Sequence, residues 1–237
     1  RSVFYSTGTI YITLSELKDK LNEIKLLCIE KHQSLYLDDI NDLINKVNLF
    51  GFHFASLDIR QNSKIHNHVI KTIFTSLGTA KEDYKNYFDF PDKKRFELLS
   101  KVSGSLTSDL FGDEMTKQTL DSIFAMKKIQ ENNGELGANR YIISNNESAL
   151  NVMETFTLFR LCNWKNPTVD IVPLFESIDD LQLADKIMEQ LYTNKLYAEH
   201  LKNRGNKQTV MLGFSDGTKD GGYLMANWGI YKAKQTI

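Results

Sequence analysis

Four short apolar segments, residues 52–59, 140–144, 168–175 and 208–214, each run into polar residues and then into a stretch with apolar positions at helical spacing. This alternation narrows the possible folds sharply, because a strand followed by a helix returns over the sheet and pairs in parallel. Four such units are half of the eight that close a (β/α)8 barrel. The pattern predicts a helix-rich α/β fold, a partial TIM-type barrel of about four parallel strands with many surrounding helices. Pro173 inside the third segment is awkward for a central strand, and is read as local geometry near a barrel rim.

A helical lead-in precedes these units over residues 1–50. Thr13 and Glu16 have capping-box spacing, a helix follows to about His32, and a second runs from Asp38 to a glycine stop at Gly51. Residues 51–237 then carry the βα units of the half barrel. Ser63 is placed to cap the helix after the first strand. The least regular stretch is 79–112, with a short helix near 91–102. Helices are expected at about 113–130, 147–161, 179–192 and 196–203, with a last one from about Asp220 to Lys234. The chain begins Arg1-Ser2-Val3 without a methionine, which suggests one fragment of a larger barrel protein.

Charge is balanced, with 29 basic and 30 acidic residues, so nothing favours nucleic acid or an anionic membrane as partner. No apolar run approaches the ~18 residues of a membrane span. Cys28 and Cys162 both sit in apolar helical patterns, which points to reduced core thiols in a cytoplasmic protein rather than a disulfide or metal site. The histidines, His32, His53, His66, His68 and His200, are scattered, and none forms a pair with zinc-ligand spacing. No Ser-His-Asp or Cys-His arrangement is recognisable.

The strand ends carry the groups able to do chemistry. The first ends at Asp58, Arg60 and Gln61, the second at Ser144 and Glu147, the third at Glu176, and the fourth at Ser215, Asp216, Lys219 and Asp220. In a barrel these ends converge on one face, where active sites lie. Glu176 and Asp216, at adjacent strand ends, suit Mg2+ or Mn2+, hard ions held by one or two carboxylates. Alternatively, Glu176 is an acid near a helix N-terminus, beside a Ser177/Asp180 capping pair, and Asp216 a turn aspartate. Arg60 suits a phosphate or carboxylate, or else makes a structural ion pair with Asp58 or a neighbouring acid. Lys219, on a glycine-broken turn over 211–222, is a point-charge contact for an anionic substrate or a solvated turn lysine.

Four blocks in order resemble one family, phosphoenolpyruvate carboxylase. FGFHFASLDIRQ at 50–61 resembles its FG-x-H-x-x-x-LDIRQ block, and RYIIS at 140–144 its YIIS strand. IVPLFESIDDL at 171–181 is similar to its VPLFET-x-DDL block, and residues 210–234 to its IGYSDS-x-KDAG segment and following helix. The resemblance runs from about Ile12 to Lys234. It implies carboxylation of phosphoenolpyruvate by bicarbonate to oxaloacetate and phosphate, and a homotetramer as the full-length protein. It further implies Glu176 and Asp216 as ligands of Mg2+ or Mn2+, Arg60 as a catalytic and substrate-binding arginine, and Lys219 as a supporting catalytic charge.

The chain departs from the family at Asn62, where a glutamate is usual, at Gly217 and Thr218, and along 144–147 after the second strand. The family's histidine segment of TAHPTE type and its FHGRGG loop are not among these residues. The polypeptide is therefore expected to be inactive by itself. Two other readings remain open, another Mg2+-dependent enolate-forming lyase or aldolase barrel and a non-catalytic scaffold relative.

Overall fold

The computed structural model describes residues 12–78 and 82–237. In chain order the elements are α1 (Leu14–Lys31), α2 (Leu37–Phe50), β1 (Asp58–Asn62), α3 (Ser63–Leu77), α4 (Glu82–Lys85), α5 (Asp92–Lys101), α6 (Glu114–Asn133), β2 (Arg140–Ser144), α7 (Ala149–Leu161), β3 (Asp170–Phe175), α8 (Ile178–Thr193), α9 (Lys195–Asn203), β4 (Met211–Leu212) and α10 (Phe214–Thr236). The described residues divide into two compact units, 12–57 with 128–138, and 58–78 and 82–127 with 139–237.

In the first unit, α1 opens with the expected capping box. The Glu16 N–H donates to Thr13 Oγ1 at 3.2 Å, and the Thr13 N–H to Glu16 Oε2 at 2.7 Å. Helix α1 packs against α2, yet α1 buries only Leu21 and α2 buries no residue among those described. Residues 52–57, expected as strand, are not extended. Gly51 and Phe54 both take positive φ, 49° and 59°, so the backbone turns back on itself, and Phe54 is left 76% exposed. Regular pairing begins only at Asp58.

The second unit holds a four-stranded sheet in the order β1-β2-β3-β4, parallel throughout. Alternate residues of each strand point to opposite faces. On one face Tyr141, Ile143, Ile171 and Phe175 are at most 1% exposed. Helices α3 and α7 cover it. His66 of α3 bonds the Tyr141 hydroxyl at 3.0 Å, Thr155 of α7 bonds the other His66 ring nitrogen at 2.9 Å, and Phe159 of α7 packs edge-on against Tyr141. Burial drives the His66 pKa down to about 3 and pushes the Tyr141 phenol up. Outside this layer, α5 docks on α7 through Arg95, whose guanidinium donates to buried Glu154 at 2.7 Å.

The sheet is the expected parallel one, with half the strands of a closed barrel, and it does not close among the described residues. Pro173 lies buried within β3 opposite Ile143. Pairing with β4 starts only at Leu174, so at Pro173 the strand has a ladder partner on one side alone, where a missing N–H is tolerated. Strand β4 is shorter than expected. The Gln208 carboxamide donates to the Ile171 carbonyl at 2.9 Å, occupying an acceptor that a longer β4 would bond. The helix expected near 91–102 is α5. The cap expected from Ser63 is made by Asn62 instead, whose side chain accepts from the Lys64 N–H at 2.9 Å. Cys162 is buried, Cys28 is partly so, and both are free thiols. No described helix is long and apolar enough to cross a membrane.

Candidate active site

The face of the sheet opposite α3 and α7 carries a different set of side chains. Ile142, Val172 and Leu174 form a small apolar cluster with Met211 packed against it. Arg60 stands in register with Ile142, and Ile142 with Val172. The Arg60 guanidinium reaches the Met211 sulfur at 3.6 Å, from the first strand to the fourth. Neighbouring strands lie about 4.8 Å apart and side chains stand roughly perpendicular to a sheet. The two meet only because the sheet curves with this face concave, as it does in a barrel wall.

Arg60 does not pair with Asp58. Asp58 binds Arg140 at 3.3 Å, and Arg60 has no carboxylate partner among the described residues. A thioether is a weak acceptor, so the guanidinium keeps its fork of donors available to an anion. Nothing in local spacing signals the Met211 contact.

Glu176 follows β3 directly. It takes no part in capping α8, because Ser177 and Asp180 do that reciprocally, each N–H donating to the other's side chain at 3.1 Å. The Glu176 carboxylate instead accepts the Asn145 N–H at 2.8 Å. Its other oxygen meets no donor among the described residues.

The glycine-rich segment is not the open turn expected from its composition. Residues from Phe214 onward are helical, and the break comes at Gly222 (φ 80°, ψ 168°), a conformation that glycine accepts readily. The helical start places Asp216 and Lys219 one turn apart, so they form an ion pair at 3.1 Å, both largely exposed. Gly213 serves close approach rather than a turn. A Cβ there would stand 2.9 Å from Glu176 Cβ, and the Gly213 N–H donates to the Phe175 carbonyl at 2.7 Å. This contact brings the start of α10 against the backbone of Glu176, with Gly217 facing the Glu176 carbonyl. Asp220, grouped by sequence with the polar loop, accepts the Ile178 N–H at 2.9 Å and ties α10 to the first turn of α8.

The structure therefore gathers Glu176, Asp216 and Lys219 where β3 and β4 end, and puts Arg60 on the concave face with Ile142 and Val172. It joins no carboxylate of this set to another, and no group of three or more potential metal ligands occurs among the described residues. The donors are carboxylate oxygens alone, and Glu176 and Asp216 each keep one oxygen without a partner among the described residues. That set fits a hard divalent cation completed by substrate and water oxygens. Asp216 would share its charge between such an ion and Lys219.

A family model of phosphoenolpyruvate carboxylase matches residues 2–237. The chain is similar to the phosphoenolpyruvate carboxylase of Nitrosomonas eutropha, at 36% identity over 90% of this chain and 24% of the relative. It is likewise similar to that of Corynebacterium diphtheriae, at 33% over 97% and 26%, and to that of Prochlorococcus marinus, at 31% over 93% and 22%. The chain thus spans about a quarter of the length of these curated relatives.

Proposed function

This chain belongs to the phosphoenolpyruvate carboxylase family, and from that premise we propose that it forms one wall of a site that carboxylates phosphoenolpyruvate with bicarbonate, yielding oxaloacetate and phosphate. The observation that carries the proposal is Arg60, a guanidinium without a carboxylate partner among the described residues, laid across the concave face to Met211. A planar cation of this kind grips a phosphoryl or carboxylate group through two parallel hydrogen bonds. It would orient bicarbonate and the phosphoryl group for transfer through a carboxyphosphate-like intermediate.

Glu176 and Asp216 would hold Mg2+ or Mn2+, which when bound supplies Lewis-acid stabilisation of negative charge on a substrate oxygen. Lys219 restrains the Asp216 carboxylate and adds positive charge at the mouth of the site. The same reading makes the complete protein a cytoplasmic homotetramer and the 237-residue polypeptide inactive alone.

The test uses the complete protein, with oxaloacetate release measured by a coupled reduction and Mn2+ binding by spin resonance. Arg60→Ala is expected to lose turnover while still binding Mn2+, and Glu176→Ala to lose both. Full turnover in Arg60→Ala would refute the role of Arg60, and unchanged Mn2+ affinity in Glu176→Ala would favour a scaffold. Measurable turnover by the purified 237-residue chain would refute its expected inactivity.

A further inference from the structure

Asn145 follows β2 directly, and the function proposed above gives it no role of its own. Asn145 leaves β2 with φ 53°, the left-handed region that asparagine tolerates and β-branched residues do not. In that conformation its N–H points to the end of the neighbouring strand and donates to Glu176 Oε1 at 2.8 Å. Its carbonyl accepts the Ser63 hydroxyl at 2.5 Å, its side-chain amide donates to Glu147 at 3.0 Å, and the same amide lies 3.4 Å from Ser63 Oγ. Groups following β1, β2 and β3 therefore meet at one residue.

We propose that Asn145 is a positioning residue, whose left-handed backbone, locked by Ser63, holds the Glu176 carboxylate with one oxygen engaged and the other turned free for a divalent cation. This rests on reading Glu176 as a cation ligand. A backbone N–H to a carboxylate is a charge-assisted bond, and a donor of this kind restricts the rotamers of a side chain on a strand end. Groups that orient a metal ligand in this way typically govern affinity by about 10–100-fold. The chain achieves it with a main-chain donor, so the requirement falls on the backbone conformation rather than on the asparagine side chain.

The experiment measures Mn2+ affinity of the complete protein without substrate, by spin resonance of the free ion. Asn145→Val, which cannot adopt the left-handed conformation without strain, is expected to weaken binding at least about tenfold. Asn145→Gly keeps both the N–H and the φ, and is expected to stay within about threefold of the parent. Ser63→Ala leaves residue 145 intact but frees its carbonyl, and is expected to fall between the two, which keeps the test decisive if the valine variant does not fold. Parent-like affinity in Asn145→Val or Ser63→Ala, with Glu176→Gln losing the ion, would overturn the positioning role alone. Asn145→Gly as weak as the Asn145→Val variant would overturn it as well. Undiminished binding in Glu176→Gln would overturn the ligand reading and this proposal together.

Discussion

The two faces of the sheet come from alternate residues of the same strands, yet they obey different rules. The face under α3 and α7 is apolar and closed, and His66 within that layer is matched by Tyr141 and Thr155. The concave face has an apolar floor of Ile142, Val172 and Leu174, but its ends are charged, and Arg60 is exposed. The first face spends its residues on packing, so substitution there is felt as stability. The second keeps charges that contribute little to folding, so substitution there should be felt as chemistry.

That division can be broken in four places. Phe175→Ala, on the closed face, is expected to cost about 3–5 kcal/mol of stability by removing a side chain that is 0% exposed. Denaturant unfolding of the complete protein checks it, and a cost below about 1 kcal/mol would mean that this face is not close-packed. Arg60→Ala, on the concave face, is expected to lower turnover roughly 10²–10³-fold, the usual cost of removing a preorganised charge donor. Its unfolding midpoint should stay unchanged. A large stability loss with intact kinetics would reverse the assignment of the two faces.

The third test concerns pH. Burial depresses His66 to about 3 and His200 to about 4, so both stay neutral in the folded unit while the unfolded chain takes up protons below about 6.5. Stability from this source is fully present above about pH 6.5 and is lost as pH falls toward the folded values, at up to roughly 1.4 kcal/mol per pH unit for each histidine. Protection factors of the β2 amides, taken relative to the intrinsic exchange rate at each pH, should fall over that window, and the slope should be shallower in His66→Gln. An identical slope in that variant would exclude His66 as its source. The smallest effect is expected for Lys219→Met. The pair with Asp216 is exposed, so stability should change by less than about 1 kcal/mol, and kcat/KM by less than about tenfold. A larger kinetic loss would give Lys219 a direct contact with substrate.

Much of the architecture was legible along the chain. The capping pairs at Thr13/Glu16 and Ser177/Asp180 formed as their spacing predicts, because each is closed within one helical turn. Helix α5 and the parallel strands followed from periodicity. Besides the short β4 and the cap made by Asn62 in place of Ser63, two local readings failed where tertiary contact outweighed composition. The apolar residues at 52–57 turn back at Phe54 instead of extending. The glycines after β4 answer to contacts with Glu176 as much as to turn geometry, so Asp216 and Lys219 lie on a helical turn rather than a loop.

By itself the sequence determined the alternation of strand and helix, the family blocks and the identity of the charged candidates, all of which are written within a few residues of one another. Only the tertiary structure decided that Arg60 meets Met211 across 151 positions, that Asp220 reaches Ile178, and that Asn145 holds Glu176. The reason is physical. Local spacing sets which way a side chain leaves its own strand or helix, whereas sheet curvature and register set what it finds there.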